Sequence, residues 1–150
     1  MDLSNEVVKQ VVELAIKEDV KGGDLNGELI SEENESSAEI ITRTSGIFCG
    51  QPWMFEVARQ IDPSIKLNFI VDDGEAVQED QLLLFATGPS RGLLTSERTM
   101  LNFAQLLSGT ATSANQYAAA VSHTKTKILD TRKTVPGPVS YTHLTLPTKA

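Results

Sequence analysis

Cysteine is almost absent. Cys49 is the only one in the chain, so no disulfide can form within it, and a cytoplasmic setting is the simplest reading. Histidine is scarce too, with two residues. Neither stands near Cys49, so a Cys–His nucleophile is not indicated, and the thiol between Phe48 and Gly50 reads as buried and structural. No apolar run approaches the roughly 20 residues needed to cross a bilayer. The N-terminus lacks the basic-then-apolar layout of a secretory signal, so a soluble protein with no membrane partner is expected. Basic side chains are outnumbered 13 to 20, for a net charge of −7. That argues against a nucleic-acid binder, whose footprint is a basic surface. Internal repeats and low-complexity tracts are also missing.

What is present fits one ordinary domain: 150 residues, 40% hydrophobic and 22% charged. The charges are unevenly placed. Acids crowd the stretch from Glu28 to Glu39, whereas Arg91, Arg98, Lys125, Lys127, Arg132 and Lys133 all lie late in the chain. An acidic protein with a local basic pocket suits a small anionic ligand.

Along the chain, Val7, Val8, Val11, Val12, Ala15 and Ile16 fall at helical spacing and predict an amphipathic helix over 5–18, ended by the glycine pair of "KGGDLNG". "ENESS" reads as an acidic loop. "AEIITRTSGIFCG" reads as a strand broken at Ser45-Gly46 and closed at Gly50. After Pro52, Trp53, Met54, Val57, Ala58 and Ile61 predict a second helix, with Trp53 and Phe55 expected in the core. "KLNFIVDDGEAVQEDQLLLFATGPS" predicts hairpins with a tight turn at Asp73-Gly74. Its "DGEAVQEDQLLLFATG" resembles biotinyl and lipoyl carrier domains, but no lysine lies between Lys66 and Lys125 to be modified, so a carrier role fails. From Thr95, "TSERTMLNFAQLLSG" predicts a helix capped by Thr95 or Ser96, with Met100, Leu101, Phe103, Ala104 and Leu107 buried and Gly109 placed to end or bend it. The small residues of "TATSANQYAAAVSHT" predict a second, closely packed helix.

The densest chemistry stands in "KILDTRKTVPG". A strand carrying Ile128 and Leu129 inward would emerge with Thr131, Arg132, Lys133 and Thr134 at its C-terminal edge, where parallel α/β folds build ligand sites. The Arg132 guanidinium matches a carboxylate or phosphate, and Lys133 adds a compact charge beside it. Spacing alone leaves this open against an ordinary solvated loop. Arg98 poses the same choice, between a ligand contact and a surface residue paired with a nearby acid.

Taken together, "ERTMLNFAQLLSGTAT" (97–112) and "ILDTRKTVPG" (128–137) resemble the quinolinate phosphoribosyltransferase family. "IKEDVKGGDLNGELI" and "ITRTSGIFCGQPWMFEVARQID" extend the likeness over most of residues 7–137. The resemblance implies an α+β N-terminal sandwich (hammerhead-like), here residues 1–112, followed by the first helix and strand of a truncated α/β barrel at 113–137. It implies phosphoribosyl transfer from phosphoribosyl pyrophosphate to quinolinate with magnesium, giving nicotinate mononucleotide, pyrophosphate and carbon dioxide. It also implies a homodimer in which Arg98 reaches the partner subunit's quinolinate. Thr131, Arg132 and Lys133 would hold quinolinate within their own subunit.

Beyond Gly137 the chain departs from the family pattern. The family continues with a His-Arg pair, a further lysine, and acids for magnesium and ribose, whereas residues 138–150 read "PVSYTHLTLPTKA". That segment is similar to translated adapter sequence and is expected to be a non-native tail, His143 included. The 150-residue chain alone is therefore expected to be inactive, with apolar surface exposed over 110–137. Two other readings are a pyrophosphorylase-like protein associated with molybdenum transport, which shares the architecture, and a non-catalytic binding module.

Overall fold

The structure, a computed structural model, describes residues 5–20, 30–31 and 34–129. The described residues form three helices and two small antiparallel sheets. The elements, in chain order, are α1 (Asn5–Asp19), β1 (Glu35–Ile41), β2 (Gly46–Ile47), α2 (Gln51–Ile61), β3 (Lys66–Phe69), β4 (Ala76–Val77), β5 (Leu82–Pro89) and α3 (Ser90–Val121). β5 is the central strand of a three-stranded sheet, with β1 on one side and β3 on the other, while β2 pairs with β4. Register follows the apolar alternation of β5. Ala86 lies between Ala38 and Leu67, and Leu84 between Ile40 and Phe69, so one apolar row of the sheet faces the helices.

α1 forms where expected, and its stripe narrows to Val8 and Val12, with Val11 and Ile16 packed alongside. Val7 stays exposed. α2 starts at Gln51 with Pro52 in its first turn, where a missing N–H costs nothing. Its Trp53, Met54, Val57 and Ala58 are buried. Trp53 stacks on Phe103 with ring centroids 4.8 Å apart. Phe55, expected in the core beside it, lies on the outer side of α2 at 48% exposure and leans on Phe69 at 5.0 Å between centroids. Position 55 falls off the stripe that 53, 54, 57 and 58 define.

The strand begins earlier and the long helix much earlier than the sequence pattern suggests. Glu35, Ser36 and Ser37, read as loop, open β1. An edge strand with mostly exposed side chains needs no apolar alternation, because its backbone pairing with β5 holds it. α3 starts at Ser90, not Thr95, and runs for 32 residues through Gly109 without a break. Thr95 and Ser96 are interior to it, and their hydroxyls donate back to the carbonyls of Arg91 and Leu93. Gly109 is exposed, with nothing near its missing side chain, so the helix simply continues past it. The expected boundary after residue 112 therefore falls inside α3. Residues 127–129, read as the start of a barrel strand, carry no regular element, and Leu129 is exposed. A parallel strand requires a hydrogen-bonded neighbour, and none flanks these residues among those described.

α3 is joined to the rest by small polar side chains as well as by apolar ones. The Cys49 N–H donates to Ser108 Oγ at 3.0 Å, and that hydroxyl donates to the Cys49 carbonyl at 3.1 Å. One turn on, Thr112 Oγ1 accepts from the Ile47 N–H at 2.9 Å. The two hydroxyls thus satisfy backbone groups around β2 that no strand reaches. Such close approach needs small residues on both sides: a Cβ on Gly50, whose φ is +133°, would stand 3.2 Å from the Ala104 Cα.

Candidate functional site

Two places bring polar groups together with some purpose. At the start of α2, Asp73 Oδ1 accepts from the N–H groups of Gly50 at 2.8 Å and Gln51 at 3.1 Å. Asp73 comes from the turn expected at Asp73-Gly74, where Gly74 takes a φ of +92°. The carboxylate thereby caps a helix from a distant loop. Burial raises the Asp73 carboxyl above the ordinary range, against the pull of its two backbone donors. Next to it the Cys49 thiol is pushed up to about 12, first by burial and then by the charge of Asp73. A thiol so held is protonated at neutral pH and inert as a nucleophile, as the sequence indicated. This cluster holds the fold together.

The second place is on the outside, where α1 ends beside α3. Arg98, in the third turn of α3, donates from Nη1 to Asp19 Oδ1 at 2.8 Å. Thr99 Oγ1 donates to the other oxygen, Oδ2, at 3.4 Å. The Arg98 side chain is 70% exposed and that of Asp19 21%. Nearer the start of α3, Arg91 donates from Nη2 to the Ile30 carbonyl at 2.9 Å and ties the helix to the segment before β1. A guanidinium on a helix, anchored by one nitrogen and bound by nothing else among the described residues, is suited to a carboxylate or phosphate brought up from outside.

Of the four residues singled out in the sequence, the structure thus places Arg98. Thr131, Arg132 and Lys133 lie outside the described residues. Arg98 is paired with an acid, Asp19, and most of its side chain is exposed. Asp19 and Thr99 were missed. The signal for Asp19 was available in "IKED", since an acid in the last turn of a helix opposes the helix dipole and calls for a partner. For magnesium, the described residues offer no group of three or more His, Cys, Asp or Glu side chains that could hold a metal. Among the described residues no helix is long and apolar enough to cross a membrane.

Comparison with known proteins bears on this surface. The sequence profile of the family described as quinolinate phosphoribosyl transferase, N-terminal domain, matches residues 24–108, more than half of the chain. A nicotinate-nucleotide pyrophosphorylase of Francisella tularensis superposes with a TM-score of 0.89 at 37% identity, covering 95% of this chain and 52% of its own. Its counterpart from Ehrlichia chaffeensis gives 0.85 at 30% identity, covering 96% and 53%. A tobacco (Nicotiana tabacum) quinolinate phosphoribosyltransferase (decarboxylating) is 34% identical over 132 residues, which are 87% of this chain and 37% of the tobacco protein. The chain spans about half the length of the solved relatives and less of the tobacco one.

Proposed function

The chain belongs to the quinolinate phosphoribosyltransferase family, and on that premise we propose that it supplies the N-terminal, substrate-covering part of an enzyme of NAD biosynthesis. The reaction is phosphoribosyl transfer from phosphoribosyl pyrophosphate to quinolinate with decarboxylation, a pentosyltransferase activity. The observation that carries this reading is the open guanidinium of Arg98, set on α3 within the family motif and anchored by Asp19. Arg98 meets the quinolinate bound by a partner subunit in a homodimer, while Thr131, Arg132 and Lys133 hold quinolinate in their own subunit.

The chemistry asks for such groups. Quinolinate is a flat dicarboxylate, and phosphoribosyl pyrophosphate is itself strongly anionic. Guanidinium forks and an ammonium offset that repulsion and fix the ring plane, so that the ring nitrogen faces the anomeric carbon as pyrophosphate leaves. Ribosylation makes the ring nitrogen cationic. The ring can then stabilise the carbanion left when carbon dioxide departs. Magnesium accompanies the diphosphate in the family's reaction. The place of action is the cytoplasm.

The direct test is a chimera in which residues 1–121 replace the matching part of the Francisella tularensis relative. It is assayed for nicotinate mononucleotide beside the chain alone. The expected result is an active chimera and an inactive chain. A folded, dimeric chimera that bound quinolinate no better than the chain alone would contradict the proposal.

A further inference from the structure

Asp19 closes α1 at the end where the helix carries its partial negative charge, an unfavourable place for an acid. Its side chain is nonetheless largely covered, and both of its oxygens are directed at α3, one to Arg98 and the other to Thr99. Thr99 is buried at 4% exposure. The carboxylate is thus fixed from behind and meets the arginine in front.

Which nitrogen it takes is informative. With Nη1 committed to Asp19, the edge formed by Nε and Nη2 stays open, and among the described residues nothing else binds it. That edge offers two roughly parallel N–H donors at the spacing of the two oxygens of a carboxylate. An unanchored arginine on an exposed helix face would give up much rotamer freedom on capturing a ligand. Here part of that loss is already taken in the free protein.

We propose that Asp19 is a positioning residue: it fixes the rotation of the Arg98 guanidinium so that the Nε–Nη2 edge is presented to a ligand carboxylate before the ligand arrives. This rests on the reading of Arg98 as a quinolinate contact and adds to it a residue that itself touches no substrate. Asp19 acts through geometry, with Thr99 holding the carboxylate from the buried side.

The full 150-residue chain allows the first part of the test. Nitrogen-15 NMR of its arginine side chains should show slowed rotation of the Arg98 guanidinium, with resolved Nη signals. Asp19→Asn should collapse them while amide dispersion stays unchanged, and Asp19→Glu, which keeps the charge, should restore them in part. Unaltered Nη signals in Asp19→Asn would overturn the proposal. In the active chimera, Asp19→Asn should raise the quinolinate KM by about fivefold, the scale of one partly exposed ion pair, with kcat nearly constant. A fall in thermal stability with no change in KM would reduce Asp19 to a helix tie and also overturn it. Arg98→Lys separates the two claims. If it leaves KM unchanged, the reading of the site is at fault. If it raises KM while Asp19→Asn does not, the inference alone is wrong.

Discussion

α3 makes two unlike contacts along its length. Around Ser108 and Thr112 it lies against β2 and the start of α2, backbone close to backbone, with both of those hydroxyls engaged and Gly50 in a conformation that side chains avoid. Around Arg98, about 15 Å earlier along the helix axis, it meets the end of α1 through an ion pair whose arginine is mostly exposed, backed by the Thr99–Asp19 hydrogen bond. The first contact has no room for change. The second contributes little to stability, because exposed ion pairs rarely do. One helix thus carries a tightly packed contact and, under the proposed function, a ligand contact, and substitutions in the two regions should behave differently.

The interior should fail first and hardest. Trp53→Ala removes the ring stacked on Phe103 and leaves a cavity that α2 and α3 cannot close. A loss of about 4 kcal/mol in urea unfolding is expected. Gly50→Ala should cost about 3 kcal/mol, since it adds strain at a φ of +133° to a contact 3.2 Å from the Ala104 backbone. If Gly50→Ala were neutral, the close crossing of α3 over this loop would be wrong.

Asp73→Ala leaves two N–H groups at the start of α2 without their acceptor and should cost about 2 kcal/mol. Asp73→Asn keeps an acceptor and removes the charge. Because burial raises the Asp73 carboxyl, the native protein keeps that proton to higher pH than the unfolded chain does. Its share of stability is full below the unfolded value and is lost as pH rises through the native one. Unfolding followed across the acid range should show that slope in the parent and not in Asp73→Asn.

Cys49 behaves alike at the other end of the scale. Its thiol is held up to about 12 against an ordinary value of 9.0, so above pH 9 only the unfolded chain gives up the proton. Stability should fall there by up to about 1.4 kcal/mol per pH unit. Cys49→Ala should lose that component, as unfolding midpoints measured between pH 8 and pH 10 would show.

Much of this arrangement was legible beforehand. Helical spacing identified α1, α2 and the buried stripe of α3, because those faces pack on one core. The Asp73-Gly74 turn was marked by residues that tolerate its backbone. The start of α3 was not legible, for a physical reason: Gly92 looks like part of a turn, yet it sits within the helix because a Cβ there would press at 3.2 Å on Asp62 and Ile65. Close approach and conformational freedom leave the same letter in a sequence. The pairing of β3 with β5 across the intervening β4 was equally hidden, since alternation marks a strand's faces and not its neighbour. At the site, Arg98 was found through motif resemblance, whereas the identity of Asp19 as its partner, 79 residues away, needed α1 and α3 to be seen together.

The smallest effect on stability should accompany the largest effect on function. Arg98→Ala is expected to change unfolding by less than about 1 kcal/mol. The decisive measurement is the quinolinate dependence of this variant in the active chimera. A fall in kcat/KM of about 10- to 100-fold, the worth of a charge-assisted contact to a carboxylate, with the dimer and its melting temperature preserved, is the predicted result. Unchanged kinetics in a folded dimer would contradict it, and would leave Arg98 as nothing more than the outer half of an ion pair with Asp19.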